Sequence, residues 1–155
     1  MSTLRTSGDH HNKLLADLEQ RVEAMTRSLM APGGSARARE RLVAFASEDV
    51  RAHLEVERAV LYPAARACGQ DGLVDALERD HQAALTLLDR LAMAEQAFDA
   101  ALLGRALVTL FSLRAQKEEG VLMPALRAAG ADVDELSDQM MVRMATDHNV
   151  RFTYI

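Results

Sequence analysis

Two stretches of this chain decide its fold. They read His53-Leu-Glu-Val-Glu57-Arg-Ala-Val-Leu-Tyr62-Pro63-Ala-Ala-Arg-Ala-Cys68-Gly69-Gln-Asp71 and Arg114-Ala-Gln-Lys-Glu118-Glu-Gly-Val-Leu-Met123-Pro124-Ala-Leu-Arg-Ala-Ala-Gly130-Ala-Asp132. Set 61 positions apart, they agree at nine of nineteen places, among them the glutamate, the proline and the glycine. The first stretch carries an HxxxE pair, and the second has Arg114 where a histidine would complete the symmetry. Residues four apart on a helix project to the same side, so each stretch places a carboxylate one turn beyond a nitrogenous side chain.

The surrounding pattern is helical. His10, Leu14, Leu18, Val22, Met25 and Leu29 form one face of a helix predicted over about 8–30. Ala31-Pro-Gly-Gly-Ser35 breaks it, and Ser35 is a candidate cap for a second helix that reaches Cys68, with Gly69 as its stop. Its inner stripe is Ala46, Val50, His53, Glu57, Val60 and Ala64. Asp71 is a candidate cap for a third helix, with Val74, Leu77, His81, Leu85 and Leu88 inside. After a weak break at Glu95–Asp99, a fourth runs to Ala129 with Leu107, Phe111, Arg114, Glu118, Val121 and Ala125 inside, and a short fifth covers Asp134–Thr146. The expected fold is all-α: an up-down-up-down four-helix bundle with a short extra C-terminal helix. A single domain spans 1–155, with the bundle core at about 7–129 and the C-terminal helix and tail at 130–155.

Composition narrows the function. A net charge of -5 with acids and bases interleaved gives no basic stripe, which argues against nucleic acid. No apolar run reaches membrane-spanning length, and no signal-peptide core follows Met1. The lone Cys68 fits a reducing cytoplasm, where it is expected to be buried and inert.

The inner stripes carry polar groups that an apolar core does not tolerate alone. Ionised carboxylates inside a bundle are costly unless paired or bound to a cation, and two on facing helices call for a cation between them. Imidazoles and carboxylates converging from four helices are how bundles hold di-iron or di-manganese centres. The competing structural interpretation is local ion pairing: Glu57 with Arg58 or Arg51, and Glu118 with Arg114. The internal repeat weighs against chance, because it sets His10, His53, Glu57, His81 and Glu118 at matching depths in two hairpins, each with an Asp-His pair (Asp9-His10, Asp80-His81).

With these residues in view, the chain resembles the haemerythrin-like (HHE cation-binding) family, whose pattern is H…HxxxE…H…HxxxE. The resemblance covers roughly residues 7–129. It implies a four-helix bundle around a non-haem di-iron centre and a role in binding or sensing O2, NO or peroxide. It further implies that His10, His53 and His81 are terminal metal ligands and that Glu57 and Glu118 bridge the irons. The partner expected is a small diatomic or peroxide ligand, and the protein is expected to be a monomer or homodimer.

Arg114 departs from that pattern, since arginine offers only donors and does not ligate iron under ordinary conditions. Three outcomes are open. Another residue replaces the histidine, with His148 the leading candidate and His11, Gln116, Glu119 and Tyr154 behind it. Or the site keeps one normal metal and one weak or absent one, making a mononuclear iron possible. Or the metal is lost and Arg114 bridges to Glu118 in a metal-free scaffold. A further use would have Arg114 contact an anionic ligand or substrate, which would make the protein an iron-dependent oxidase or oxygenase. His11, about 100° round the helix from His10, is expected to be exposed. Tyr62 is expected to be a packing or interface residue turned off the ligand stripe, and Met140, Met141 and Met144 core or interface filler. Pro63 and Pro124 should kink or end their helices.

Overall fold

The structure is a computed structural model that describes residues 7–148. Five helical segments follow one another, with no strand among the described residues. α1 is Ser7–Ser28. α2 covers 36–67 without a break in helical winding. α3 is Asp71–Met93, α4 covers 97–128, and α5 is Val133–Asp147. α1 packs on α2 and α4, and α3 packs on α2 and α4, which closes a four-helix ring; α5 lies against the second half of α2. Among the described residues, no helix is long and apolar enough to cross a membrane.

The elements form for local reasons. Leu14, Leu18, Val22 and Met25 are all buried, giving α1 its core stripe. Gly33 and Gly34 turn the chain at φ +137° and +78°, conformations that favour glycine. Gly69 and Gly130 do the same after α2 and α4, at φ +77° and +85°. In both, the next amide reaches back to a carbonyl five residues earlier: Gln70 to Ala65, and Ala131 to Leu126, each 3.0 Å. The repeated glycine of the two stretches is therefore a repeated helix stop. The expected caps differ. Ser35 stands at the start of α2, but its hydroxyl makes no capping bond. Asp71 is the first helical residue of α3, one place past the cap.

The prolines neither end nor break their helices. Each follows a widened π turn, Glu57–Leu61 before Pro63 and Glu118–Leu122 before Pro124. The amides of Tyr62 and Met123 bond to the carbonyls of Glu57 and Glu118, five residues back. Proline lacks an amide hydrogen and its ring crowds the carbonyl four residues back, so a turn wound one residue wider accommodates it. The widening also shifts the inner stripe. On α4, Val121 is exposed while Leu122 and Leu126 are buried; on α2, Leu61, Tyr62 and Ala65 join Val60 inside.

The apolar core is in two parts. One contains Leu14, Leu18, Val50, Leu54, Leu88, Leu107 and Phe111, and the other Val60, Leu61, Leu77, Leu122, Leu126 and Met144 of α5. Met140 and Met144 are buried as expected of core filler. Cys68 is half-buried against the second cluster. Between the two clusters, at matching heights on all four bundle helices, lies a layer of buried polar side chains.

Candidate metal centre

That layer contains His11, His53, Glu57, His81, Arg114 and Glu118, every one of them buried. The ligand atoms of His11, His53 and Glu57 lie within 4.8 Å of one another. Glu57 is at the centre. Its Oε1 accepts from His11 Nε2 at 2.9 Å and is 2.5 Å from His53 Nε2, while its Oε2 accepts from Arg114 Nη2 at 3.0 Å. Glu118 is divided in the same way: Oε2 is 3.4 Å from His11 Nε2, and Oε1 accepts from Arg114 Nη2 at 3.4 Å. Both carboxylates thus reach from a histidine side to a guanidinium side.

Outer contacts fix the rings. His10 Nε2 is 3.1 Å from His53 Nδ1, and His11 Nδ1 is 2.8 Å from Glu119 Oε1. Phe111 closes the apolar side, its ring centroid 5.6 Å from that of His53. A ring nitrogen anchored by an outer partner leaves the other nitrogen oriented inward, which is the usual construction around histidine-bound metals.

The charges are tightly interdependent. Burial alone would raise Glu57, but His53 and Arg114 outweigh it and hold this carboxyl well below the usual range. Burial and then the negative charge of Glu57 hold Glu118 well above that range. Burial opposes a charge on His11, yet its hydrogen bonds to Glu119 and Glu57 raise it to about 10. His53 and His81 are lowered, chiefly by burial, and His10 falls to about 3 through burial and its neighbouring imidazoles. Arg114 is buried but held charged by Glu57 and Glu118.

These groups fit a cation. His53 Nε2, His81 Nδ1 and Glu118 Oε2 are buried without a hydrogen-bond partner. His53 Nε2 stands 2.5 Å from Glu57 Oε1, so an imidazole nitrogen and a carboxylate oxygen lie side by side. Buried polar atoms nearly always find partners, and neutral imidazole with carboxylate is a donor set suited to first-row divalent metals.

The sequence located the layer but not every member of it. His53 and Glu57 are in the cluster, and Glu118 borders it. His10 is half-buried and supports His53 from behind. His11, expected to be exposed, is the buried ligand candidate of α1. The signal was in the stripe: His11 precedes Leu14 by three and Leu18 by seven, so it lies nearer the centre of the buried face than His10. His81 is buried, its ring 6.4 Å from that of Tyr62 in an edge-on contact. His148 is 3.8 Å from Glu55 at the surface and is not brought into the cluster. Tyr154 lies outside the described residues. Tyr62, expected off the stripe, is buried and accepts from Arg114 Nη2 at 2.6 Å. Five residues of α-helix would turn it about 140° from Glu57, and the π turn between them removes much of that angle. Arg114, considered as a contact for an anionic substrate, has its Nη2 engaged by the chain's own Glu57, Glu118 and Tyr62.

A four-helix bundle with imidazoles and carboxylates gathered in a buried central layer is the architecture of a metal-binding bundle. The family model described as the Hemerythrin HHE cation binding domain matches residues 4–126. The chain belongs to that family. Searches of curated proteins and of solved structures gave no match.

Proposed function

We propose that this protein holds iron in the layer formed by His11, His53, Glu57 and Glu118 and through it binds or senses O2, NO or peroxide. The observation that carries this is the convergence of His11, His53 and Glu57 ligand atoms within 4.8 Å at full burial. Mixed imidazole and carboxylate donors accept several metals, and membership of a cation-binding family favours iron among them. Iron, when bound there, would supply the affinity for a diatomic or peroxide ligand.

The chain's own groups have definable tasks. His10 holds His53 through Nδ1, and Glu119 holds His11 through Nδ1. Phe111 and Leu14 on one side and Leu61 and Leu122 on the other keep bulk water from the layer. Arg114 maintains a positive charge beside both carboxylates whatever else is bound.

The test is elemental analysis of protein expressed with ample iron and freed of loosely held metal, followed by optical spectra under argon, air and NO. Retained iron with bands that respond to O2 or NO is the expected result. Protein that retains no iron and remains spectroscopically silent would remove the proposal, leaving the metal-free bundle as the alternative.

A further inference from the structure

We infer that Arg114 is a permanent second cation of this centre, placed so that the chain takes one metal ion rather than a pair. The inference rests on the metal-binding function proposed above and goes past it to the composition of the site. Each of the two central carboxylates presents one oxygen to the histidine side and the other to the guanidinium. Glu57 divides into Oε1 toward His11 and His53 and Oε2 toward Arg114; Glu118 divides into Oε2 toward His11 and Oε1 toward Arg114. Two carboxylates shared in this manner bridge two positive centres. One of those centres is covalently part of the protein.

The two copies of the internal repeat differ at two places whose side chains touch across the bundle, Arg114 from the second copy and Tyr62 from the first. Arg114 aligns with His53, and Tyr62 aligns with Met123. Thus the copy with histidine carries the tyrosine, and the copy with arginine carries the methionine. The tyrosine oxygen accepts from Arg114 Nη2 at 2.6 Å, a short charge-assisted bond that methionine could not make. A single exchange of histidine for arginine would leave a long cation loosely placed in a core. The additional hydroxyl, brought inward by the π turn, gives the guanidinium a third acceptor beside the carboxylates.

His81 is then left outside the group of converging ligand candidates. It is buried on the Tyr62 side with Nδ1 unpartnered, while the histidine side has His11 and His53 together. A second divalent ion there would have to share Glu57 Oε2 and Glu118 Oε1 with a fixed positive charge at contact distance, and like charges at that range repel strongly where water is excluded.

The experiment uses the full chain, stripped of metal with chelator and titrated with Co(II), read by ligand-field absorbance and native mass spectrometry. The expected wild-type end point is about one Co(II) per chain, and about two for the double variant Arg114→His/Tyr62→Met, in which each position takes the residue of its counterpart in the other copy. Arg114→Lys should keep the single-ion end point because it keeps the charge. If the double variant does not fold, Arg114→Gln removes the charge at similar length, and its second Co(II) should bind at a concentration at least about tenfold lower than in wild type. Two tightly bound ions in the wild type would overturn this inference while leaving the iron function standing. An unchanged single-ion end point in a folded double variant would overturn it as well, as would a second Co(II) in Arg114→Gln that binds no more tightly than in wild type. No bound ion in the wild type would overturn both.

Discussion

Neighbouring residues in this layer differ sharply in what they do. His10 and His11 are adjacent, yet His11 reaches Glu57 while His10 reaches the back of His53. His11→Ala should therefore abolish tight metal binding. His10→Ala should weaken it by about 10–100-fold, as the loss of an outer partner does. His148→Ala should leave metal content unchanged. Metal per chain after gel filtration checks all three, and equal loss from His148→Ala would bring the last helix back into the site. Tyr62→Phe deletes the shortest of the three hydrogen bonds of Arg114 Nη2 and should cost about 1.5–3 kcal/mol in urea unfolding, the usual contribution of a hydrogen bond to a charged group. The apolar stripe of α1 was enough to distinguish His11 from His10, provided its centre was computed and not extended stepwise by four. Tyr62 was not legible in this way. Its inward position depends on a π turn, and a count of 3.6 residues per turn cannot anticipate one unless the downstream proline is read as a demand for a wider turn rather than as a helix end.

At the scale of the elements, the order and approximate limits of all five helices were legible, because glycine stops and apolar periodicity are local signals. The shift of the buried stripe from Val121 to Leu122 was not, since it arises from the same winding defect that moves Tyr62. Close approach between helices was also hidden. Gly104 on α4 has no side chain, and a Cβ built there would be 2.9 Å from Val22 Cγ2 and 3.2 Å from Leu42 Cδ2. Gly104→Ala should therefore separate α4 from α1 and α2. Overpacking of this kind costs about 1–3 kcal/mol, outweighing the gain of about 1 kcal/mol from better helix propensity. Thermal unfolding checks this; a raised midpoint would show that Val22 rotates away freely.

For the whole molecule, the central layer links folding to proton and metal binding. In the metal-free chain His11 has its pKa raised to about 10. Its charge therefore contributes stability that is fully present below about pH 6.5, the unfolded value, and is lost as pH rises through about 10. Metal must displace that proton, so apparent affinity should rise with pH across the same window. Metal at about a hundredfold above its Kd should add about 2.7 kcal/mol, or roughly 5–10 °C in the unfolding midpoint. Scanning calorimetry with and without metal at pH 6 and pH 9 tests both statements, and a larger shift at pH 6 would contradict the sign. The division of the core has a consequence for motion. The two apolar clusters are separate units of hydrophobic stabilisation, joined through a polar layer that gains its cohesion from charge. Withdrawal of the metal should therefore loosen the molecule at its waist before either end. Amide hydrogens of the π turns at Glu57–Leu61 and Glu118–Leu122 should be the first to exchange with solvent, while the leucine-rich end around Leu18 and Leu107 stays protected.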